Sequence, residues 1–463
     1  RAMVWQAADD NIDNNGIADG HETTDTDPSN NADLSDNLVA PNYGQESTVE
    51  QVSLGALLDQ PVGGVDPGLA GSTNVTSFVA GSGSTTVRYD DVGIIELFAF
   101  VADNDYLGIG AGETANIVGR SGYVGRFIPD RLQVVANVPD FAHTCVAGTF
   151  TYTDEAFYYG NAPVLTVTAL NTAGATTNNY GGAVGPNRFW MLSTLLPGRN
   201  YTDQAGAAAT FNAPLLGGTV TLSDEIDYDG DGILTMDAAM AGDDFLYQRV
   251  TPEAPFNALV DLNFPAPDLT DSDGACYDPD DNGTCDDFNI NGITGTEMRF
   301  GRLVILNAFG SELLPLPVPM RTEYFVDATT GFVTNTPDTC TTLTDDYLDL
   351  VNSIDDPPLG ASPATINVGA GTSTDTIGNS PMVGGDAGQS FSAPGADNAG
   401  YVDIEANLTA PAMAQPPLPW LMYDWDGVDQ GGDGNIYDDH PTGRGTFGVY
   451  SGSGRHIYLR ELY

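Results

Sequence analysis

Short apolar runs, separated by Gly, Pro, Asn and Asp turn residues, follow one another along the chain after about residue 45. Residues 92–102 form a largely apolar, β-rich run between turn signals, and 145–174 contain two or three more strand-like runs. Helical periodicity is almost absent, and the segment 345–354 is the one predicted helix. Short strands at regular spacing favour antiparallel sandwiches, so the sequence predicts an all-β fold of several β-sandwich (Ig-like) domains.

Two segments depart from this simple pattern. The longest apolar segment, 295–325, contains Pro315, Pro317 and Pro319, which exclude a helix there and suit an edge strand or an extended arm. Residues 353–400 are rich in Gly, Ser, Pro and Thr, a composition typical of flexible chain. Such a segment is held in place only by packing, either against its own chain or against a neighbouring copy.

The length of 463 residues is enough for about three domains of roughly 150 residues. We predict an acidic calcium-loop segment at 1–44, a β domain at 45–137 and a β-sandwich domain at 138–265. A C-terminal β domain follows at 266–463, with the Gly/Ser/Pro-rich stretch 353–400 as an insertion. Arg1 is neither a natural start nor the opening of a signal peptide, so we expect that processing or truncation has removed an export signal.

The charge balance excludes several classes of function. The net charge is −50, and all 14 basic residues are Arg. Nucleic-acid binding needs many cationic side chains to neutralise phosphates, so we expect no nucleic-acid partner. The absence of lysine excludes a Schiff base, a P-loop lysine and a Lys–Asn isopeptide crosslink. No apolar run reaches the ~18–20 residues of a membrane-spanning helix, so no membrane span is predicted.

The acidic residues are mostly Asp, since only 13 of the 64 are Glu. Asp crowded with Asn and Gly is typical of loops that bind calcium through oxygen atoms. The segment "NIDNNGIADGHE" shows the spacing of such a loop, with oxygens at its first, third, fifth, ninth and twelfth positions and Gly16 at the turn. It resembles a thrombospondin type-3 or bacterial calcium-loop repeat over about 30 residues. The predicted ligands are Asn11, Asp13, Asn15, Asp19 and Glu22.

A second candidate loop, "DYDGDGIL", places three aspartates at alternate positions before Gly232. Its twelfth position is Ala238, so a bidentate acid must come from elsewhere, with Asp237 as one candidate. The predicted ligands are Asp227, Asp229 and Asp231.

Two further acidic turns have less regular spacing. The turn 271–287 supplies Asp271 and Asp273 as predicted ligands, with more candidate oxygens at Asp278, Asp280 and Asp281. The turn 424–439 supplies Asp424 and Asp426 as predicted ligands, and its other candidate oxygens are Asp433, Asn435, Asp438 and Asp439. A plain solvated turn is the alternative in both. Calcium is the expected cofactor.

The four cysteines allow three pairings. Cys276 and Cys285 flank an acidic turn, which favours a local disulfide and leaves Cys145 to pair with Cys340. Two disulfides indicate an oxidising compartment. Four buried free thiols are the alternative.

Catalytic motifs are missing from the sequence. It has no GxSxG, no HExxH and no GxGxxG opening a helix, and His440 beside two aspartates has no evident nucleophile near it. A pair of carboxylates for glycoside hydrolysis is neither indicated nor excluded. We therefore expect no enzyme, and keep a secreted polysaccharide hydrolase as a third hypothesis.

Six stretches in order resemble a known family: "VGRFIPDRL", "CVAGTFTYTDEAF", "LTVTALNTAGATTNNY", "ITGTEMRFGRLVILNAFGSELLPLPVPMRTEYF", "GFVTNTPDTCTTL" and "PLPWLMYDWDG…HPTGRGTFGVYSGSGRHIYLRELY". They resemble the MshQ-type domain of the MSHA (mannose-sensitive haemagglutinin) type IV pilus biogenesis proteins over about residues 45–463. The resemblance implies a large, exported, pilus-associated protein. It also supports the pairing of Cys145 with Cys340, which lie within matching stretches. Many such proteins carry a lectin-like module upstream, where this chain has the calcium-loop segment, so a carbohydrate-binding role does not transfer.

These observations predict a secreted, calcium-stabilised structural or adhesive component of a bacterial surface appendage. A subunit that polymerises into its own extracellular filament is the alternative, because the Pro-rich arm and the Gly/Ser-rich segment would suit strand addition between subunits. Candidate partners are other copies of the chain, pilus subunits and surface glycans. The expected location is the cell surface or the extracellular space.

Overall fold

The computed structural model describes residues 39–103, 105–106, 118–181, 195–196, 198–215, 217, 220–224, 232–236, 238–352, 365–411, 415–429 and 436–448. In these ranges the chain forms β-strands linked by turns, and its helices are short 3₁₀ turns at Ala238–Gly242, Ala266–Leu269, Asp345–Tyr347 and Pro419–Leu421. None of the described helices has the length and apolar character needed to cross a membrane. Nearly all strand pairs are antiparallel. The predicted all-β fold is therefore confirmed.

The N-terminal sheet has four strands in the order β3-β1-β5-β6, with the ribbon β2-β4 beside it. The strands of this region are β1 (Val52–Gln60), β2 (Leu69–Gly71), β3 (Asn74–Val75), β4 (Val87–Tyr89), β5 (Gly93–Val101) and β6 (Val118–Phe127). The apolar run predicted at 92–102 is the central strand β5, and its Ile95 and Val101 are buried. Most other side chains of β1 and β5 are only half-buried, so this sheet has a thin core.

The first core lies between a five-stranded sheet, β12-β15-β16-β11-β7, and a three-stranded sheet, β13-β19-β20, with shorter ribbons around them. The strands of this part of the chain are β7 (Arg131–Ala136), β8 (Asp140–Phe141), β9 (Phe150–Tyr152), β10 (Tyr159–Asn161), β11 (Leu165–Leu170), β12 (Leu195–Leu196), β13 (Asn200–Asp203), β14 (Thr210–Leu215), β15 (Val220–Asp224), β16 (Ile233–Met236), β17 (Asp244–Gln248), β18 (Phe256–Asn257), β19 (Val260–Phe264), β20 (Phe288–Ile293) and β21 (Glu297–Arg299). Of these, β9 buries Phe150 and Tyr152 in the second core. Alternate residues of β11 and β19 point inward, as expected for strands with one buried face. Phe141, Phe157 and Phe245 pack against one another in this core, with the Phe141 ring edge-on to the other two.

The second core lies among three sheets, in the orders β22-β25-β26, β23-β32-β31-β27 and β24-β30-β29-β28. The strands are β22 (Gly301–Ile305), β23 (Ala308–Gly310), β24 (Leu316–Pro317), β25 (Met320–Asp327), β26 (Gly331–Thr334), β27 (Leu348–Val351), β28 (Thr365–Val368), β29 (Gly371–Ile377), β30 (Gln389–Phe391), β31 (Gly400–Ala406) and β32 (Thr442–Phe447). The last strand of the described ranges, β32, is central in its sheet, because it pairs with β31 on one side and with β23 on the other. The segment that leads into β32 is therefore joined directly to a central strand of this core.

One buried arginine connects the two cores. Arg249 follows β17, and its Nε donates to Asp154 at 2.6 Å. Its two terminal nitrogens donate to four backbone carbonyls at the second core: Gly301 (3.3 Å), Trp420 (3.2 Å), Met422 (2.9 Å) and Pro419 (2.9 Å). Burial lowers the pKa of Arg249, against the effect of the Asp154 charge. Because the side chain is only 1% exposed, these acceptors and the rings of Phe300 and Tyr437, whose centres lie 5.3 and 5.4 Å from the guanidinium, compensate for its lost hydration.

Both predicted disulfides are formed. Cys145–Cys340 joins positions 195 residues apart, and Cys276–Cys285 closes a turn across 9 residues. Asp338, which is fully buried, accepts hydrogen bonds from the Tyr152 hydroxyl and from the Cys340 and Thr341 amides beside the longer crosslink. The Cys145–Cys340 disulfide therefore lies in the second core, and it ties the segment around Cys145 and β9 to the strands that follow residue 300.

The helix predicted at 345–354 is wrong. The structure has a 3₁₀ turn at Asp345–Tyr347 followed by β27, and residues 353–354 lie outside the described ranges. Leu348 and Leu350 are buried in the second core, and Asp349 between them points the other way. This alternation of buried and less buried positions is typical of a strand, and it determines the structure of the segment. The Pro-rich arm agrees with its prediction, because β24 lies at the edge of its sheet and pairs with β30.

The described part of the Gly/Ser-rich stretch, 365–400, packs against its own chain as β28, β29 and β30. Residues 353–364 lie outside the described ranges. The domain boundaries predicted after residues 44, 137 and 265 stay predictions, although strands from both sides of residues 137 and 265 contribute to the first core.

Candidate metal centre

The turn that precedes β32 brings three carboxylates together. Asp424 and Asp426 follow the 3₁₀ turn Pro419–Leu421, and Asp439 returns beside them through an antiparallel bridge to Tyr423. One oxygen of each carboxylate lies within 4.8 Å of the others. Calcium holds its oxygen ligands at about 2.3–2.6 Å, so two ligands of one ion lie at most about 5 Å apart. This geometry can accommodate a calcium ion. Residues 424–439 are called the terminal acidic loop below.

Backbone hydrogen bonds orient the three carboxylates. Asp439 Oδ2 accepts the amides of Trp425 (2.7 Å) and Asp426 (3.1 Å). Asp424 Oδ1 accepts the Gly427 amide at 2.6 Å, and Asp426 Oδ1 accepts the Val428 amide at 2.8 Å. Each carboxylate carries a second oxygen and further lone pairs that can serve a cation. The backbone therefore holds the acids close together, where a cation would offset their repulsion.

An aromatic cluster packs against the first residues of the terminal acidic loop. Tyr423 packs edge-on against Trp425 at 5.1 Å and against Phe332 at 5.2 Å. The Arg302 guanidinium lies 3.7 Å from the Phe332 ring centre and 5.0 Å from that of Trp425, and it forms two hydrogen bonds with Glu323. Cation–π contacts of this kind contribute about 0.5–2 kcal/mol each. Trp425, at 43% exposure, is therefore a packing residue on one face and solvent-exposed on the other.

A second carboxylate cluster lies in the turn closed by Cys276–Cys285, called the disulfide loop below. Asp278, Asp280 and Asp286 each place one oxygen within 4.8 Å of the others. Asp278 is buried, and its oxygens accept the amides of Asn282 (3.1 Å) and Gly283 (2.7 Å). The disulfide brings Asp286, the residue after Cys285, back beside the start of the turn.

The two residues predicted as ligands in this turn, Asp271 and Asp273, have other partners. Asp271 Oδ1 accepts the amides of Asp273 and Ala275, and its Oδ2 accepts the Tyr180 hydroxyl at 3.1 Å. Burial raises the pKa of Asp271, although these hydrogen bonds act against it. Asp273 forms an ion pair with Arg126 of β6. The structure thus gathers the acids of this turn at Asp278, Asp280 and Asp286, while Asp273 attaches the N-terminal sheet and Asp271 binds Tyr180 of the first core.

The remaining predicted ligands lie outside the described residues. They are Asn11, Asp13, Asn15, Asp19 and Glu22 of the first loop, Asp227, Asp229 and Asp231 of the second, and the candidate oxygens Asp433 and Asn435. Their assignment stays a prediction.

Sequence reasoning found part of each cluster. Asp424 and Asp426 were predicted ligands and Asp439 a candidate oxygen, whereas Asp286 was not singled out. The signal for Asp286 was its position directly after Cys285, because a local disulfide returns that residue to the opening of the turn. His440, considered as a base, accepts the Leu408 amide through Nδ1 at 3.2 Å, which gives the ring a role in the fold.

Family models match two successive parts of the chain. Residues 91–292 match the model described as DUF6701, third domain, and residues 299–462 match DUF6701, fourth domain. The change from one match to the next falls close to the change from the first core to the second. Together the two domains cover most of the chain. No curated protein matches it.

Proposed function

The chain belongs to the DUF6701 family, and on this premise we propose that it is an exported, calcium-stabilised structural component of a bacterial surface appendage. Within this proposal the appendage is of the type IV pilus kind, as the resemblance to MshQ-type domains implies. That resemblance stays a prediction. The role is structural or adhesive, with other copies of the chain, pilus subunits or surface glycans as partners.

Two disulfides in an all-β chain support export, because disulfides form and persist in oxidising compartments. The net charge of −50 favours solubility and discourages non-specific association. A protein with these properties, no lysine and several acidic turns suits a surface exposed to millimolar calcium, where weak sites with Kd of about 10⁻⁴–10⁻³ M are occupied.

The observation that carries the calcium part of the proposal is the approach of Asp424, Asp426 and Asp439. These carboxylates come from the two ends of the loop that leads into β32, a central strand of its sheet. A cation held by all three would join the loop ends and restrain β32. Waters and backbone carbonyls would complete the six to eight oxygens that calcium takes.

The test is a thermal unfolding series in calcium and in chelator. Calcium at ten times its Kd stabilises the folded state by about 1.4 kcal/mol if it binds only that state. We expect a higher melting temperature in calcium for the wild type and little calcium effect for Asp439→Asn. Asp273→Asn is the matched control, because it removes an acid that pairs with Arg126 and should keep the calcium effect. Equal melting with and without calcium would refute the calcium part.

The surface part of the proposal needs a separate measurement. Antibodies against the purified chain should label intact cells, and shearing of surface appendages should release the label. Label found only after cells are broken open would refute an appendage role and leave the calcium result unaffected.

The alternative of a self-polymerising filament stays a proposal. The Pro-rich arm pairs with β30 in the same chain, and the strands β28, β29 and β30 of the Gly/Ser-rich stretch belong to the same sheet, so these segments also have partners within one chain. Electron micrographs of purified protein at high concentration with calcium separate the two hypotheses, since a repeating fibre would favour the filament. The hydrolase hypothesis stays untested.

A further inference from the structure

A carboxyl and an amide meet in the dry interior of the second core. Asp375 of β29 and Gln389 of β30 lie on the inward faces of paired strands, and they are 0% and 2% exposed. Gln389 Nε2 donates to Asp375 Oδ1. The pair lies in the sheet β24-β30-β29-β28, which also holds the Pro-rich arm.

The other two polar atoms of this pair are buried and have no partner among the described residues. They are Asp375 Oδ2 and Gln389 Oε1. An ionised carboxylate and an amide oxygen both accept hydrogen bonds, so with Asp375 ionised neither atom can satisfy the other. A buried polar atom without a partner costs about 1–3 kcal/mol. A single proton on Oδ2 turns it into a donor and resolves both deficits at once.

We propose that Asp375 is a neutral carboxylic acid whose Oδ2–H donates to Gln389 Oε1, which closes a two-hydrogen-bond acid–amide pair that acts as a pH-sensitive latch in the second core. The complementary deficit of the two side chains, which the Gln389–Asp375 hydrogen bond already joins, carries this inference. When the proton leaves, the pair keeps one hydrogen bond and a charge is buried against an amide oxygen. The sheet that holds β24 and β28 then loosens.

The surroundings favour the neutral form. Burial raises the pKa of Asp375 to about 7, with the negative charge of Asp345 as the second cause, while the hydrogen bonds from Gln389 and Thr376 act against the rise. Asp345 is in the 3₁₀ turn that packs on β29, and the Tyr347 hydroxyl of that turn donates to the Pro416 carbonyl. The described strands β28 and β30 contain no ionisable side chain. No cation among these elements opposes the shift.

The direction in which stability changes with pH follows from the different pKa of Asp375 in the folded and unfolded protein. An unfolded Asp releases its proton near pH 3.9, whereas the folded protein keeps it to about pH 7. The stabilising effect is therefore complete below about pH 4, falls as pH rises towards 7, and is lost above that value. Between pH 5 and pH 8 the folding equilibrium constant should fall about a hundredfold from this group alone.

The experiment compares unfolding of the full chain at pH 5 to 8 for wild type and Asp375→Asn. Asparagine keeps the shape, and its Nδ2 donates to Gln389 Oε1 at every pH. The variant should lack the roughly hundredfold loss seen in the wild type, while Asp349→Asn on β27 should keep the wild-type profile. Gln389→Glu places two carboxyls together and should steepen the loss with rising pH.

A second readout keeps the inference falsifiable if a variant fails to fold. Infrared spectra of folded wild type should show a protonated carboxyl signal that disappears between pH 6 and 8 and is restored on return to pH 6. Equal pH profiles for wild type and Asp375→Asn, or no protonated carboxyl titrating near neutrality, would overturn the latch.

Discussion

The terminal acidic loop and the disulfide loop each gather three aspartates, yet their ends are joined by different means. In the disulfide loop a covalent bond between Cys276 and Cys285 closes the turn. In the terminal acidic loop the closure consists of the backbone bridge between Tyr423 and Asp439 and of hydrogen bonds to the carboxylates. The same grouping of charge therefore rests on a crosslink in one place and on non-covalent contacts in the other.

The difference indicates where a cation contributes most. A disulfide across a short turn already limits the freedom of the unfolded chain, so an ion bound there adds little further restraint. The terminal acidic loop has no such crosslink and leads into the central strand β32. We therefore expect calcium to act mainly on the terminal acidic loop.

The largest effect should come from removing the anchor of the terminal acidic loop. Arg249→Met leaves Asp154 and the carbonyls of Pro419 and Met422 without their buried donor. Breaking a buried pair by removing one partner costs about 3–5 kcal/mol. Denaturant unfolding should show this loss of stability. The calcium-dependent rise in melting temperature should also be smaller, because residues 419–422, which lead into the terminal acidic loop, lose their contacts with Arg249.

The matched control for Arg249 is Arg444→Met. Arg444 pairs with Asp403 on the surface, where its side chain is 49% exposed, and exposed pairs contribute little. A loss for Arg444→Met as large as that for Arg249→Met would show that burial of the anchor is not the cause.

The next effect should come from opening the disulfide loop. Replacing Cys276 and Cys285 by Ser removes a crosslink across 9 residues, which is worth about 2.5 kcal/mol on the chain-entropy estimate. The same change makes this loop resemble the terminal one, so the calcium effect on melting should become larger than in the wild type. A calcium effect of unchanged size would contradict the proposed role of the crosslink.

The smallest expected effect is a difference between the two loops in how an exposed acid contributes to the calcium-dependent rise in melting temperature. Asp426 and Asp280 are the exposed members of the two clusters. Asp426→Asn should remove most of the calcium-dependent rise in melting temperature, and Asp280→Asn should remove little of it. Calorimetric scans with and without calcium measure both, and the reverse order would assign the main site to the disulfide loop.

Much of the fold could be predicted from the sequence because the strands carry local signals. The apolar run at 92–102 became β5, and the prolines near 317 became an edge strand. The predicted helix at 345–354 was wrong because alternation, which buries Leu348 and Leu350, outweighed local helix character.

The candidate sites were harder to predict, because their geometry depends on pairing between distant residues. Asp439 reaches Asp424 only through the register that sets it opposite Tyr423. The contacts of Arg249 with carbonyls about residue 420 join parts of the chain that share no local pattern. In the turn 271–287 the sequence named Asp271 and Asp273 as ligands and Asp278 and Asp280 as further candidates, whereas the structure groups Asp278 and Asp280 with Asp286.

Hydrogen exchange of the whole protein, in calcium and in chelator, tests the central claim most directly. Calcium should slow exchange at the Trp425, Gly427 and Val428 amides and along β32, and leave the disulfide loop nearly unchanged. Asp439→Asn should abolish the difference. Equal exchange in β32 with and without calcium, or protection confined to the disulfide loop, would contradict the account.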